Sequence, residues 1–545
     1  MPALERARET SIGAVDFSVR LGLLACCLIL TSCEKGLDRA ELVVINGSEP
    51  ELLDPAVITA QATGRVAYAL LEGLTVFDAG ARAQPGVAER WELSEDGRVY
   101  TFHLRENSIW SNGDPVSSSD FLYSWKRSLA PETGCEYASQ FYPIKNAEAF
   151  NLGKVTDFSE VGVRVKGSQE LEVTLTNPTP YFLDLCAFVT YLPVHRATVE
   201  RYGDWSSNPE HFIGNGPFRL AEWRLFDRVR LCKNHKYWNA SSVYLGSIDV
   251  LPASKPNTAL NFYLTGAADV MIDKGLVPTA LMGSLKKRAD FHAAPFLGNY
   301  FVRFNAVRAP FSDPRVRRAL SLVIDKHLLV EKITRAGEIP AWSFVPPGTG
   351  HGYAPPKGAM RDCGLARQLL DAAGFPGGKG FPVFDYLYKG DSELDRDIGV
   401  ELQGMFKREL GVTMQLKGQE WTVYLATQSA LDFDLCRSSW VADYNDPNTF
   451  LNMFVTGDGN NRTGWSSAEY DRLIAVAAET TEAEARFSHF RDAENLLVNV
   501  EAPICPLYYY VGIQFYNADR LDGMEANLLD EHPLRYLRWK PRSTK

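Results

Sequence analysis

Polar and apolar residues alternate over Val99-Tyr100-Thr101-Phe102-His103-Leu104-Arg105, the period of a strand with one face buried. Strand-like runs recur at Glu41–Asn46, which ends in the turn residues Asn46-Gly47-Ser48, and at Asn299–Asn305 and Val412–Leu416. A long aromatic run from Pro506 to Tyr516 has the same character, and the segment Leu534–Trp539 closes the chain. Other stretches follow the helical period: 65–71, 118–129 with Ser118 or Ser119 as its cap, and an amphipathic 393–410. One more helix opens at Asp313. This residue is the expected N-cap, Pro314 occupies the first turn, and Val316, Ala319, Leu320, Val323 and Ile324 line one face. Strand and helix signals alternate through 241–300, and Gly and Pro dominate 346–382.

The 545 residues suffice for two or three domains with ample core. Near the start, Arg20 precedes the apolar run Leu21–Leu30, which meets Thr31-Ser32-Cys33-Glu34. That run has the length of a signal-peptide core and is too short to span a bilayer. Leu30-Thr31-Ser32-Cys33 is similar to the bacterial lipobox, in which cleavage before the cysteine leaves a thiol for acylation. Residues 1–33 are therefore expected to be a signal peptide with Cys33 as the lipidation site, and 34–40 a polar tether; a plain secretory signal is the alternative. No later segment approaches the length of a transmembrane helix. Net charge is -10 without a basic stripe, which argues against a nucleic-acid partner. Nine cysteines occur, and the six beyond Cys33 (Cys135, Cys186, Cys232, Cys363, Cys436, Cys505) make no CxxC or zinc spacing. Their pairing stays open.

Signatures of catalysis are scarce. No G-x-S-x-G elbow, H-E-x-x-H pair or Walker loop appears. The Gly377-Gly378-Lys379-Gly380 run lacks phosphate-loop spacing, and Phe381-Pro382 follows where a helix should begin. Asp443-x-Asn445 and Asp458-x-Asn460 read as turn residues, since calcium-loop spacing is missing. No enzyme, metal or cofactor is expected. One stretch does concentrate chemistry: Arg437-Ser438-Ser439-Trp440-Val441-Ala442-Asp443-Tyr444-Asn445-Asp446-Pro447, running on to Trp465. A cation, a carboxylate and two indoles fall together on a strand that breaks into a turn. Those groups suit a ligand that has an ammonium, a backbone and side chains, which is a peptide.

Several further runs carry a family resemblance. Leu53-Asp54-Pro55, Glu72-Gly73-Leu74, Pro85-Gly86-Val87-Ala88-Glu89-Arg90-Trp91 and Trp110-Ser111-Asn112-Gly113-Asp114-Pro115-Val116 resemble the oligopeptide-binding proteins of bacterial ABC importers. Phe212-Ile213-Gly214-Asn215-Gly216-Pro217-Phe218 and Asn234-His235-Lys236-Tyr237-Trp238 extend the resemblance along the mature chain. It implies an α/β, periplasmic-binding-protein-like fold of the cluster C type, with two lobes, a hinge and an additional α/β domain. The implied boundaries are 41–71, 198–300 and 511–545 for lobe I, 72–197 for the additional domain, and 301–510 for lobe II. Crossings near Asn299–Asn305 and Tyr508–Gln514 would form the hinge.

By the same resemblance, Asp443 matches the α-ammonium anchor, and Arg437 a cation that can receive the peptide's carboxylate. Ser439, Trp440 and Val441 match one strand pairing with the peptide, and Thr59 to Gln61 the facing segment. Tyr137, Trp421 and Tyr509 match aromatic positions of the cleft. Departures are visible: Leu394 or Asp395 stands where some relatives place a histidine, Gln428 where another base occurs, and Thr59 where some carry an acid. The implied protein is a monomer that carries short peptides to a permease and its ATPase subunits, held to a membrane by lipid on Cys33. Murein peptide, glutathione, a metal chelate or haem would be alternative solutes; a peptide-sensing receptor or an exported peptidase would be alternative roles.

Overall fold

Two long strands, Phe291–Phe304 and Ile504–Tyr516, run antiparallel through the middle of the largest sheet. Both are rich in aromatic residues; Ile504–Tyr516 is buried almost throughout, and Phe291–Phe304 is buried from Leu297 onward, as a sheet covered on both faces requires there. The computed structural model describes residues 39–541. The chain falls into two units, residues 1–40 and 41–545, and the described fold is that of the second. The expected signal peptide, Cys33 and most of the tether lie outside the described residues.

The large sheet has eleven strands. From one edge inward come Met414–Gln419, Phe384–Lys389 and Leu435–Val441, then the long pair. Beyond the pair lie Val270–Ile272, Leu42–Ile45, Ser247–Leu251, Arg228–Lys233 and Phe218–Arg224, while Ile339–Pro340 hangs off the second long strand. The long strands are thus the crossing between two halves. Their register breaks between the pairs Pro295–Val511 and Asn299–Tyr509. Pro295 has no N–H for the ladder. Gly298 sits in the break, where a Cβ would stand 2.7 Å from Tyr510 Cδ2, so only glycine admits that approach. The first crossing therefore precedes the expected Asn299–Asn305, because residues 298–304 are already paired to Leu435–Val441.

Side chains gather into separate cores on either side. Leu42, Val66, Phe218 and Ile248 share one with Phe102, Trp110, Phe121 and Trp125. The segment expected as an additional domain is therefore packed onto its neighbour; its own sheet is antiparallel in the order Ala88–Leu93, Val99–Leu104, Glu170–Thr174, Val163–Gly167. Val302, Leu320, Tyr386, Ile398 and Phe406 build a second core, and Phe301, Phe344, Phe450 and Phe490 a third.

Local rules account for the element ends that matter. Helix Ser118–Leu129 is capped by Ser117, one residue before the expected Ser118 or Ser119. The Asp120 carboxylate accepts the Ser117 N–H at 2.8 Å, while the Ser118 hydroxyl donates to Gly167 O at 2.6 Å and ties the helix to the sheet. Asp313 caps the helix Pro314–Leu322 by accepting the Arg315 N–H. Ser392 accepts the Asp395 N–H to open the helix Glu393–Leu410, and Gly411 at φ +73° ends it. The first helix, Gln61–Leu70, begins four residues earlier than its periodicity predicts.

Candidate functional site

Strand Leu435–Val441 has one edge occupied and one largely free. Along one side Arg437, Ser439, Trp440 and Val441 pair with Val302, Tyr300, Asn299 and Gly298. On the other side Phe384–Lys389 pairs only with Leu435 and Cys436. From Arg437 onward no strand covers that second edge among the described residues. After Val441 the Ala442 N–H bonds to Leu297 O at 2.8 Å, and the chain turns. The turn is rigid, because the buried Asp446 accepts both terminal nitrogens of Arg486, at 2.7 and 2.9 Å.

Asp443 is placed by that turn on the wall of a cavity of about 310 Å³. The free edge from Ser439 to Val441 forms one side, and Thr59 to Gln61, leading into the first helix, forms another. Tyr137 contributes an aromatic wall, set edge-on against Phe188 at 5.4 Å between ring centres. These are eight of the eleven peptide-contact positions expected from the sequence, brought together from three distant stretches of chain.

The carboxylate of Asp443 is half-buried: protein surrounds it, yet it opens onto the cavity. Gln140 Nε2 donates to its Oδ2 at 2.9 Å. Burial pushes its pKa up to about 7, and the Gln140 hydrogen bond offsets part of that rise. Among the described residues no cation pairs with it. The indole N–H of Trp440 is buried and has no hydrogen-bond partner among the described residues. The Tyr137 phenol is raised in pKa by burial first and by Asp443 second.

Three expected positions lie elsewhere. Arg437 is half-buried, and its Nε stands 3.1 Å from Asp395 Oδ2, an ion pair without hydrogen-bond alignment. Asp395 also accepts the Tyr300 hydroxyl at 2.9 Å. A carboxylate thus stands beside the Arg437 guanidinium and offsets part of its charge. Trp421 is 41% exposed and stacks on Tyr424, away from the cavity. Tyr509 is buried within its long strand, its hydroxyl engaged with the Ser343 side chain and carbonyl.

Sequence reasoning missed Gln140, Tyr68 and Glu531, all at or beside the cavity. None belongs to a motif of its own; a glutamine and an acid in polar segments carry no local signal. Among the described residues no group of His, Cys, Asp and Glu is arranged to hold a metal ion. The six described cysteines are unpaired. No described helix is long and apolar enough to cross a membrane.

Comparison with known proteins bears on the whole chain. A periplasmic oligopeptide-binding protein OppA of Salmonella typhimurium is 36% identical over 483 residues, covering 87% of this chain and 88% of the relative. The dipeptide-binding protein DppE of Bacillus subtilis is 35% identical over 518 residues, 91% of each chain. The solved structure of Haemophilus influenzae OppA in complex with the peptide RPPGFSPFR superposes with a TM-score of 0.79 at 30% identity, covering 92% of this chain and 99% of the other. Residues 82–462 match the family described as bacterial extracellular solute-binding proteins, family 5. With relatives matched along nearly their full length and the two-part α/β fold shared, the chain belongs to the bacterial extracellular solute-binding proteins of family 5.

Proposed function

We propose that this protein is the solute-binding component of an ABC importer and captures short peptides in the cavity between Ser439–Asp443 and Thr59–Gln61. The observation that carries this reading is the uncovered edge of strand Leu435–Val441, ending at a carboxylate that no cation among the described residues neutralises. A peptide laid along that edge adds a strand, and main-chain hydrogen bonds hold it whatever its sequence. The α-ammonium then meets Asp443, a charge-assisted contact strengthened by exclusion of water. Trp440, with its unpartnered indole N–H, supplies one more donor for a peptide carbonyl.

Closure follows from the same geometry. Gln140 bonds to Asp443, and Tyr181 stacks on Tyr444 with ring centres 4.1 Å apart and planes 4° from parallel. Both contacts join the 72–197 segment to the 301–510 segment. A ligand touching both sides favours the closed arrangement, with the two long strands as the hinge. The named relatives are periplasmic or peptide-binding, which supports export; delivery to a membrane permease with ATPase subunits and anchoring through lipid on Cys33 complete the proposal. The chain itself supplies binding, not catalysis. Calorimetry with trialanine and N-acetyl-trialanine tests it: the free amine should bind and the acetylated form should not. Equal affinity for both overturns the assignment of Asp443.

A further inference from the structure

A second cavity, of about 50 Å³, lies within the 301–510 segment and shares no lining residue with the one around Asp443. Its walls come from the helix Pro314–Leu322, the turn that follows it, the stretch from Val498 to Ala502 and the start of the long strand Ile504–Tyr516. Asn499 fastens one side: its Oδ1 accepts the Ala359 N–H at 3.1 Å and its Nδ2 donates to Lys357 O at 3.2 Å. The volume admits a group of about four heavy atoms.

Two cations, Arg318 and Lys326, line this cavity, and no Asp or Glu does. Lys326 is only 6% exposed. Its ammonium donates to Ala341 O at 2.7 Å and lies 4.7 Å from the ring centre of Trp342, so both contacts are to neutral groups. An ammonium has three donors, and a carbonyl takes one. Burial lowers the Lys326 pKa, and the one ionisable group opposing that shift is the Cys505 thiol. Arg318 is half-buried and has neither a hydrogen bond nor an ion pair among the described residues.

The acids closest along the chain serve other groups. Glu501 lies 3.5 Å from Arg317, which also donates to Glu501 O at 2.9 Å. Asp325 accepts the Leu328 N–H at 3.0 Å, and Asp362 the Leu365 N–H at 2.9 Å. None of the three acts on the Lys326 ammonium.

A buried cation without a counter-charge is costly, and an anion entering the cavity relieves that cost. The guanidinium fork fits two oxygens of one ligand, and the ammonium adds a compact charge beside it. We propose that this cavity is a small-oxyanion site, separate from the peptide cleft, in which Arg318 and Lys326 hold a phosphate ion or a carboxylate group.

The test is calorimetry at pH 7 and constant ionic strength with sodium phosphate, sodium acetate and sodium chloride, on the wild type, Arg318→Gln and Lys326→Met. Phosphate or acetate should bind the wild type once per chain, about tenfold more tightly than chloride, and the tighter of the two names the ligand class. Arg318→Gln should weaken that binding about tenfold, and Lys326→Met should abolish it. If neither oxyanion binds the wild type, if chloride binds equally well, or if Arg318→Gln binds as tightly as the wild type, the site is overturned. Should Lys326→Met fail to fold, the wild type and Arg318→Gln decide. Since the two cavities have no residue in common, either reading can fall while the other stands.

Discussion

Replacing Asp443 by Asn removes the charge while keeping shape and the Gln140 contact. The expected loss of trialanine affinity at pH 7.5 is on the order of 2–5 kcal/mol, the range for a desolvated charge deprived of its partner, or about 30- to 5,000-fold. The structure adds a more discriminating signature. Burial pushes the Asp443 carboxyl up to about 7, so near neutral pH a fraction of it must lose a proton before it can pair with an ammonium. Ionisation halves the effective affinity at pH 7, and below pH 6 the dissociation constant rises about tenfold per pH unit. Above about pH 8 the peptide's own α-amine loses its charge, so affinity declines again and the profile is a bell. Binding at pH 7 releases about half a proton from Asp443, readable by calorimetry in buffers of different ionisation enthalpy. In Asp443→Asn the acid limb disappears. A wild-type dissociation constant that stays flat from pH 5 to 7, with no proton release, would refute the placement of the ammonium on this carboxylate.

Other outcomes follow from neighbouring groups. Asp443 and Glu531 both have pKa values raised by burial, so their contribution to the stability of the empty protein is fully present below the unfolded values near pH 4 and is lost as pH rises towards 7. The melting temperature without ligand should therefore rise on acidification from pH 7.5 to 5.5, and by less in Asp443→Asn; an identical dependence in that variant would contradict the raised value. Tyr181→Ala removes the stack on Tyr444 and the hydrogen bond from Asn448 at 3.0 Å, together about 1–2 kcal/mol. Peptide affinity should fall about 5- to 30-fold, and small-angle scattering should show a more open empty protein; unchanged affinity would deny these contacts a role in closure. Glu494 is a structural acid whose Oε1 accepts the N–H groups of Phe344 and Val345 at 2.7 and 2.8 Å, while its Oε2 takes the Tyr353 hydroxyl. Glu494→Ala strands two buried N–H donors and should cost about 3–5 kcal/mol in urea denaturation, whereas Glu494→Gln, which keeps an acceptor, should cost clearly less.

Much of this molecule is legible along the chain, because short-range physics determines it. The capped helix after Asp313, the helix 393–410 between Ser392 and Gly411, and the alternating strand at Val99 appear where pattern and turn chemistry place them. The stretch from Ser439 to Asp443 is equally visible, since its strand, its turn and its acid are contiguous. Tertiary structure decided the rest. Whether Arg437 is available to a ligand depends on Asp395, brought beneath it by the first turn of another helix. Where the first crossing falls depends on Pro295 and Gly298 interrupting a register that only the partner strand defines. The charge of the cavity depends on Glu531 arriving from the far end of the chain, with Arg65 offsetting part of its charge. Helix and strand follow from neighbours a few residues away. The field around a carboxylate comes from groups whose closeness exists only after the chain has folded.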